Sequence, residues 1–386
     1  MTVVFGIAAA RLSAGKILSV QRWRSLILSL GFLVLLSACT DTQSTDDVPA
    51  EETATRELPT YRMGLDSQHL SRAVERAEEL PRTHNLLVAR HGEIQFEHHF
   101  AGPGPAQAVN VKSVSKSILS ALVGIAIDEG YLDGPDQPIG PFFEQYLNED
   151  DDQRKREITV GNLLSMQSGL ERTSGGNYGA WVSSSNWVRY KLNQPLRSDP
   201  GSSRSYSTGN THLASAVLTE ATGQSTWAFA REHLAEPLGI RVPQWPADPQ
   251  GIYFGGNDMM ISPRDLVRFG ELYRKGGYLN GQRIIPHTWI RDSFIPKANS
   301  RWSGAGYGYG WFSSLIGDHP AYYGWGYGGQ YLYIIPGLEL TVVITSDPYS
   351  AGGRSHRAEL RRIVEEEIVP AAEKGGEMIA EIEKGD

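Results

Sequence analysis

The sequence predicts an α/β fold of the α+β kind: an antiparallel sheet built from both ends of the chain and flanked by helices, with a helical subdomain inserted between. Three observations predict it. Strand-like runs cluster near residues 86–100 and again over 308–346. Helix-like periodicity fills most of the interval between them. One of those helices is apolar on nearly every side, which places it inside the molecule rather than on its surface.

The N-terminus reads as an address. Residues 1–39 contain no Asp or Glu and four basic residues, Arg11, Lys16, Arg22 and Arg24. The run LILSLGFLVLL at 26–36 is too short for a membrane span, which needs about 20 apolar residues. It fits the h-region of a secretory signal, about 7–15 residues long. It leads into Ser37-Ala38-Cys39, and Cys39 is the one cysteine of the chain. This arrangement resembles a bacterial lipoprotein signal. The resemblance implies cleavage before Cys39, lipidation of Cys39 and anchoring to a membrane of the cell envelope, facing the periplasm. An ordinary cleavage site beside a free cysteine is the alternative. Residues 40–60 then form an acidic linker; over 40–58 there are six acids, one base and almost no bulky apolar side chain. Such a segment cannot bury enough surface to offset its ordering entropy. A domain is expected over 61–372, and 373–386 is a polar tail expected to fray.

With 386 residues, 40% hydrophobic and 21% charged, the chain can build a sizeable core and is neither a disordered chain nor a coiled coil. A net charge of −8 leaves no electrostatic footprint for nucleic acid. A single cysteine excludes an intramolecular disulfide and a Cys-rich zinc site.

Within the domain, 67–80 carries Leu70, Ala73, Val74 and Ala77 at helical spacing. Residues 86–89, a His91-Gly92 turn and 94–100 read as a β-hairpin. The all-round apolar helix is 113–130, and further helices are expected at 158–166, 212–222 (closed by Gly223) and 263–275 (capped by Ser262). Strands follow at 308–313, 321–324, 331–335 and 340–346, then a helix at 359–369. His98 and His99 are adjacent on a strand, so they point to opposite faces and do not share a metal. The acidic run 149–152 reads as solvated loop. Asp258 fits either a buried ion pair or the site.

Three motifs carry chemistry. Ser113-Val114-Ser115-Lys116 puts a serine and a lysine on one face of a helix start. A hydroxyl is a poor nucleophile until a base takes its proton. A lysine serves if desolvation lowers its pKa. The helix N-terminus disfavours a protonated lysine and favours an oxyanion. Tyr206, in Ser205-Tyr206-Ser207-Thr208-Gly209-Asn210, is a candidate proton relay if cations hold its pKa down. Gly324-Trp325-Gly326-Tyr327-Gly328-Gly329-Gln330 runs into a strand, and glycines there let a substrate approach a free backbone N–H.

The order of these motifs resembles the penicillin-recognising serine hydrolases, with their S-x-x-K, Tyr or Ser motif and K-T-G or its substitute. The tyrosine variant is similar to the class C β-lactamase branch of the β-lactamase/transpeptidase-like fold. Ile158-Thr159-Val160-Gly161-Asn162-Leu163-Leu164-Ser165-Met166-Gln167-Ser168-Gly169-Leu170, Glu236-Pro237-Leu238-Gly239-Ile240 and Ser262-Pro263-Arg264-Asp265-Leu266 look like further family landmarks. The resemblance covers about residues 65–370. It implies Ser113 as the nucleophile that forms an acyl-enzyme, Lys116 as the holder of its proton, and Tyr206 as the shuttle to the leaving group. It also implies an oxyanion hole from the backbone N–H groups of Ser113 and Tyr327, with no metal or organic cofactor.

The departures are informative. The third place of the tyrosine motif, an asparagine in class C, is Thr208, whose hydroxyl cannot reproduce an amide's paired donor and acceptor. The lysine of K-T-G is absent, which weakens the case for a β-lactam carboxylate; Arg301 and Arg264 are candidate substitutes. Aromatic residues gather instead: Tyr178, Trp181 and Trp187, then Trp311, Tyr322, Tyr323, Trp325 and Tyr327. From these, Tyr178, Trp181, Thr208, Trp325, Gly326 and Gly328 are expected to bind substrate, with aromatic rings walling an apolar acyl or alcohol pocket. The Gly-Gly-Gln ending looks most like esterases and 6-aminohexanoate-dimer hydrolases. The expected function is therefore a serine hydrolase acting on a small ester or amide. The alternatives are a D,D-peptidase or β-lactamase of the same family, and a non-catalytic envelope binding protein on the same fold.

Overall fold

The computed structural model describes residues 64–147, 152–301, 303–349 and 354–382. The signal segment, Cys39, the linker and most of the acidic run 149–152 lie outside the described residues. The main sheet has eight strands: β1 (Thr83–Arg90), β2 (Glu93–His99), β3 (Ala298–Asn299), β4 (Gly306–Tyr307), β5 (Phe312–Ile316), β6 (His319–Gly326), β7 (Gln330–Ile335) and β8 (Leu340–Ser346). Their order is β2-β1-β8-β7-β6-β5-β4-β3. The N-terminal hairpin is thus completed by the last strand, with Leu86 opposite Ile344 and Val88 opposite Val342, antiparallel. The expected assembly of one sheet from both ends is what forms.

Both faces of the sheet are covered, so the central strands read as continuous apolar runs. Leu87, Ala89, Leu332, Ile334 and Val343 join one core cluster. Leu86, Val88, Tyr331, Tyr333, Val342 and Ile344 join another on the opposite face. The second face is closed by α1 (Ser67–Glu78), whose N-cap Asp66 accepts the His69 N–H at 3.0 Å. It is closed also by two helices from the C-terminal end, described below. The first face carries α2 (Ser115–Asp128), α3 (Thr208–Thr222), α4 (Pro263–Arg274) and α5 (His287–Phe294). The Ser262 hydroxyl accepts the Asp265 N–H at 3.1 Å, the expected cap of α4.

Every residue of α2 from Ser115 to Ala126 is buried, as the sequence leads one to expect. Each large aliphatic side chain buried there contributes about 1.5–3 kcal/mol. That anchors the start of the helix, where Ser113 and Lys116 lie. The differences from expectation have local causes. The helix at 158–166 is only Val160–Leu164, because Met166 turns left-handed at φ 66 and the chain leaves the helix. The helix expected from 212 begins four residues earlier, which puts Thr208 in its first turn. The strand expected at 308–313 is interrupted by a turn at Gly310 and reforms as β5. At the C-terminal end α6 (Arg354–Ile363) leads through a π-turn into α7 (Val369–Ile382), which includes the described part of the polar tail. Ala371 and Ala372 are fully buried and hold the start of α7 in place.

His212 of α3 and Asp248 are both fully buried, 3.0 Å apart, inside a box of Trp181, Trp187 and Phe254. Asp248 also accepts the Gln250 and Ile252 N–H groups at 2.9 Å. Replacing Asp248 by Ala strips the buried His212 ring and two part-buried N–H groups of their acceptor. The expected loss is about 3 kcal/mol or more, read as a lowered urea midpoint with unchanged slope.

Candidate active site

Ser113 sits in a single 3-10 turn, Lys112–Val114, that feeds α2. Lys112 adopts φ 49, a strained value for a side-chain-bearing residue. Its N–H donates to Asn110 Oδ1 at 2.9 Å and its ammonium pairs with Asp258 at 2.9 Å. Asn110 donates in turn to Asp258 at 2.8 Å. Asp258 is itself left-handed at φ 61. This triangle resolves the role of Asp258: it is an ion-pair partner beside the site that fixes the bend before Ser113. Neither Lys112 nor Asn110 is legible as a site residue in the sequence, because the bend depends on a loop almost 150 residues away.

Lys116 is 1% exposed, one helical turn beyond Ser113. Its Nζ lies 2.9 Å from Ser113 Oγ, 3.5 Å from Thr208 Oγ1 and 2.5 Å from the Gly256 carbonyl. Desolvation lowers its pKa from the ordinary lysine value to about 7, against a smaller opposing pull from Asp258. A neutral amine has two N–H groups and one lone pair. Gly256 O and Thr208 Oγ1 accept the two N–H groups, which leaves the lone pair for the hydroxyl proton of Ser113. Thr208 is held by Ser174, whose hydroxyl accepts the Thr208 N–H at 2.8 Å and lies 3.0 Å from Thr208 Oγ1. Asn210, the asparagine of the sequence motif, is turned into the core, where it accepts from Ser168 at 3.0 Å.

Tyr206 hydrogen-bonds Ser113 through its hydroxyl, and its ring lies 5.0 Å from Lys116 Nζ. Arg204 stacks on its other neighbours, 5.7 Å from the Tyr206 ring and 4.5 Å from that of Tyr307. The expectation that cations hold Tyr206 down is overturned: burial outweighs the Ser113 bond and Arg204 and pushes the phenol up to about 12. Tyr206 is therefore a neutral hydroxyl at physiological pH, able to pass a proton on but not to begin by taking one.

The third motif ends β6. Pairing with β5 stops at Tyr323 opposite Phe312, so from Gly324 onward that edge of the strand is unpaired with β5. Gly326 is required by close approach: a Cβ there would meet the Val111 carbonyl at 2.4 Å and Lys112 Cβ at 3.1 Å. The strand end is thus pressed against the residues before Ser113. Tyr327, the next residue, carries a 59% exposed side chain.

Several expected substrate contacts do other work. Trp181 is fully buried and donates to the Trp187 carbonyl at 3.0 Å, so it is core. Trp311 is equally buried, against Phe269 and Tyr273, and Tyr322 stacks on Phe294. Trp325 projects from the face of β6 opposite Gly324 and Gly326, as strand alternation requires; it lies beneath Arg357 at 5.1 Å. A Cβ on Gly328 would meet Pro348 Cα at 2.6 Å, so turn packing rather than substrate demands that glycine. Arg264 is occupied by Glu97 at 2.6 Å, and Arg301 is exposed. Tyr178 stays close to the site: its hydroxyl accepts from Asn257 at 3.1 Å, beside the Gly256 carbonyl that holds Lys116. His98 and His99 do point apart, one among Phe96 and Phe100, the other to Asn85.

The beta-lactamase family model matches residues 82–366, which contain all of these groups. The chain belongs to the beta-lactamase family. It is a serine hydrolase of that family. Over 266 residues it is 26% identical to a 6-aminohexanoate-dimer hydrolase of Paenarthrobacter ureafaciens, covering 64% of this chain and 65% of that one, just under two thirds of the relative's length. Two solved structures share the fold. EstCE1, a hydrolase with promiscuous acyltransferase activity, has a TM-score of 0.65 at 17% identity and covers 77% of this chain and 98% of its own. A penicillin-binding protein homologue from Caulobacter crescentus has a TM-score of 0.63 at 16% identity, covering 81% and 99%.

The state of Lys116 sets a pH dependence. Its amine accepts a proton only when neutral, so kcat/KM for an activated ester is expected to rise with pH through an inflection near 7. Lys116→Arg, charged at every accessible pH, is expected to lose that limb and nearly all activity. Stopped-flow rates from pH 5 to 9 test both.

Proposed function

We propose that this protein hydrolyses small esters or amides through an acyl-enzyme on Ser113, with Lys116 and Tyr206 moving the proton. The observation that carries the reading is the buried Lys116 amine 2.9 Å from a half-exposed Ser113 hydroxyl. Ser113 Oγ attacks the substrate carbonyl carbon as its proton passes to Lys116, and the carbonyl π electrons move onto oxygen. Backbone N–H groups of Ser113 and Tyr327 would stabilise that oxyanion; the pressed contact at Gly326 supports their nearness. The proton then travels through Tyr206 to the departing alkoxide or amine as the tetrahedral intermediate collapses. Water attacks the acyl-enzyme by the same steps in reverse and releases a carboxylic acid and free Ser113.

Esters and amides are favoured over β-lactams by two features. The third motif has Gly324 and Trp325 where a lysine would meet a β-lactam carboxylate. A relative 26% identical to this chain is a 6-aminohexanoate-dimer hydrolase. The N-terminal segment supports a further part of the reading, a lipid anchor at Cys39 that holds the enzyme in the cell envelope. Among the described residues no helix is long and apolar enough to cross a membrane.

The test is hydrolysis of p-nitrophenyl butyrate by the full chain. Ser113→Ala is expected to lower kcat by at least about 10³-fold with the melting temperature unchanged. Equal rates in the two proteins would exclude Ser113 as the nucleophile. Turnover of nitrocefin is expected to fall well below that of the ester, and a nitrocefin rate matching it would favour a β-lactamase.

A further inference from the structure

The Gly-Gly-Gln ending of the third motif plays no part in the chemistry above, yet it is tied down on several sides. Gly328 and Gly329 make the turn from β6 to β7 at φ 88 and 108, where only glycine sits without strain. Arg82 donates to the Gly328 carbonyl at 3.4 Å and to that of Asp347 at 3.1 Å. The Gln330 side chain bridges the backbone of Ser346, donating to its carbonyl at 2.6 Å and accepting its N–H at 3.2 Å. The Ser346 hydroxyl donates to the Gly329 carbonyl at 3.2 Å. That hydroxyl has one proton, already committed. The imidazole of His356, 3.0 Å away in the first turn of α6, must therefore donate to it through Nε2–H.

The direction of this chain of bonds excludes a second serine–histidine nucleophile, since the imidazole gives a proton to Ser346 instead of taking one. Burial, together with Arg82 and Arg357, lowers the imidazole pKa to about 4, which keeps it neutral. A Cβ on Gly329 would come within 2.9 Å of His356 Nε2, Ser346 Oγ and Leu360 Cδ1 alike. The turn is thus seated on this trio. Tyr327 lies directly before the turn, and before that is Gly326, pressed against Val111.

We infer that His356 is a positioning residue for the oxyanion site: through Ser346 it seats the Gly328-Gly329 turn and so sets how far the Tyr327 N–H stands from Ser113. The inference rests on the acyl-enzyme reading above. A donor displaced by a fraction of an ångström serves the transition state poorly while leaving ground-state binding alone. The signature is a loss in kcat without a rise in KM.

The experiment uses the full chain and p-nitrophenyl butyrate, with phenylboronic acid as a probe that forms a tetrahedral adduct on the nucleophile. His356→Ala is expected to lower kcat about 10–100-fold, to leave KM within about two-fold, and to weaken phenylboronic acid inhibition by a factor similar to the loss in kcat. His356→Gln, which keeps an N–H donor, is expected to recover most of both losses. Ser346→Ala removes one oxygen atom and is expected to reproduce the alanine effect; it decides the matter if His356→Ala does not fold. Circular dichroism melting is recorded for each variant. Unchanged kcat in Ser346→Ala and in folded His356 variants would overturn the inference. So would a loss that tracks melting temperature and is not recovered by Gln. Ser113→Ala, assayed alongside, separates the two levels: if it remains active, the acyl-enzyme reading fails and this inference with it, whereas a silent Ser113→Ala with unaffected His356 variants condemns the inference alone.

Discussion

Everything at this site depends on keeping one amine out of water. A solvated lysine carries its proton firmly at neutral pH and cannot relieve a serine of another. Lys116 escapes that state because its helix is buried on every side and its amine meets a carbonyl and two hydroxyls rather than solvent. Lys191 makes the point by contrast. It is also fully buried, and desolvation lowers its pKa to about 7 as well. Its Nζ, however, donates to the Glu171 carbonyl at 2.8 Å. There it props the strand of chain that leads to Thr173 and Ser174, whose hydroxyls receive the start of α3 at Gly209 and Thr208. Burial makes a lysine available as a base; the hydroxyl set beside it decides whether that becomes chemistry.

The site is assembled from segments far apart in the chain, and each arrives on a differently built support. The serine and lysine ride a buried helix. Thr208 rides the first turn of another helix, which the His212–Asp248 pair locks to a loop. Gly256 and Asp258 come from an irregular stretch, held through Lys112 and Asn110. The third motif comes from the end of a strand. Beside Ser113 and Lys116, left-handed backbone occurs at Lys112 and Asp258, where the bond network holds it.

The sequence disclosed the parts of this arrangement that depend on local pattern. The sheet from both ends, the all-round apolar helix, the caps at Ser262 and Gly223 and the Ser113–Lys116 pair all follow from spacing within a few residues. What it concealed depends on long-range contact. Aromatic residues near glycines suggested a pocket, but composition cannot separate a wall of a cleft from a core residue. Trp181 and Trp311 are fully buried against residues from distant segments, Phe254 and Phe269 among them. The Tyr206 expectation failed on magnitude: cations are present, but desolvation is the larger effect. Asn210, two residues beyond Thr208 on the same helix, bonds Ser168 in the core, a contact that depends on a distant loop. His356 offered no signal at all, since its partner is a serine on a strand and the turn it supports lies 27 residues upstream.

The pairing of β1 with β8 has a consequence for how this molecule comes into being. The hairpin is synthesised well before its neighbour in the sheet, which is not complete until residue 346. Until then the nascent chain carries a strongly apolar strand, Leu86-Leu87-Val88-Ala89, paired with β2 on one edge and open on the other. Contacts of such sequence separation make folding slow and expose strand edges to association. Ser113, Lys116 and Tyr206 are all made before the strand that closes the sheet. A chain that stops before residue 340 would contain Ser113, Lys116 and Tyr206 but lack β8, the strand that joins the hairpin to the third-motif strands.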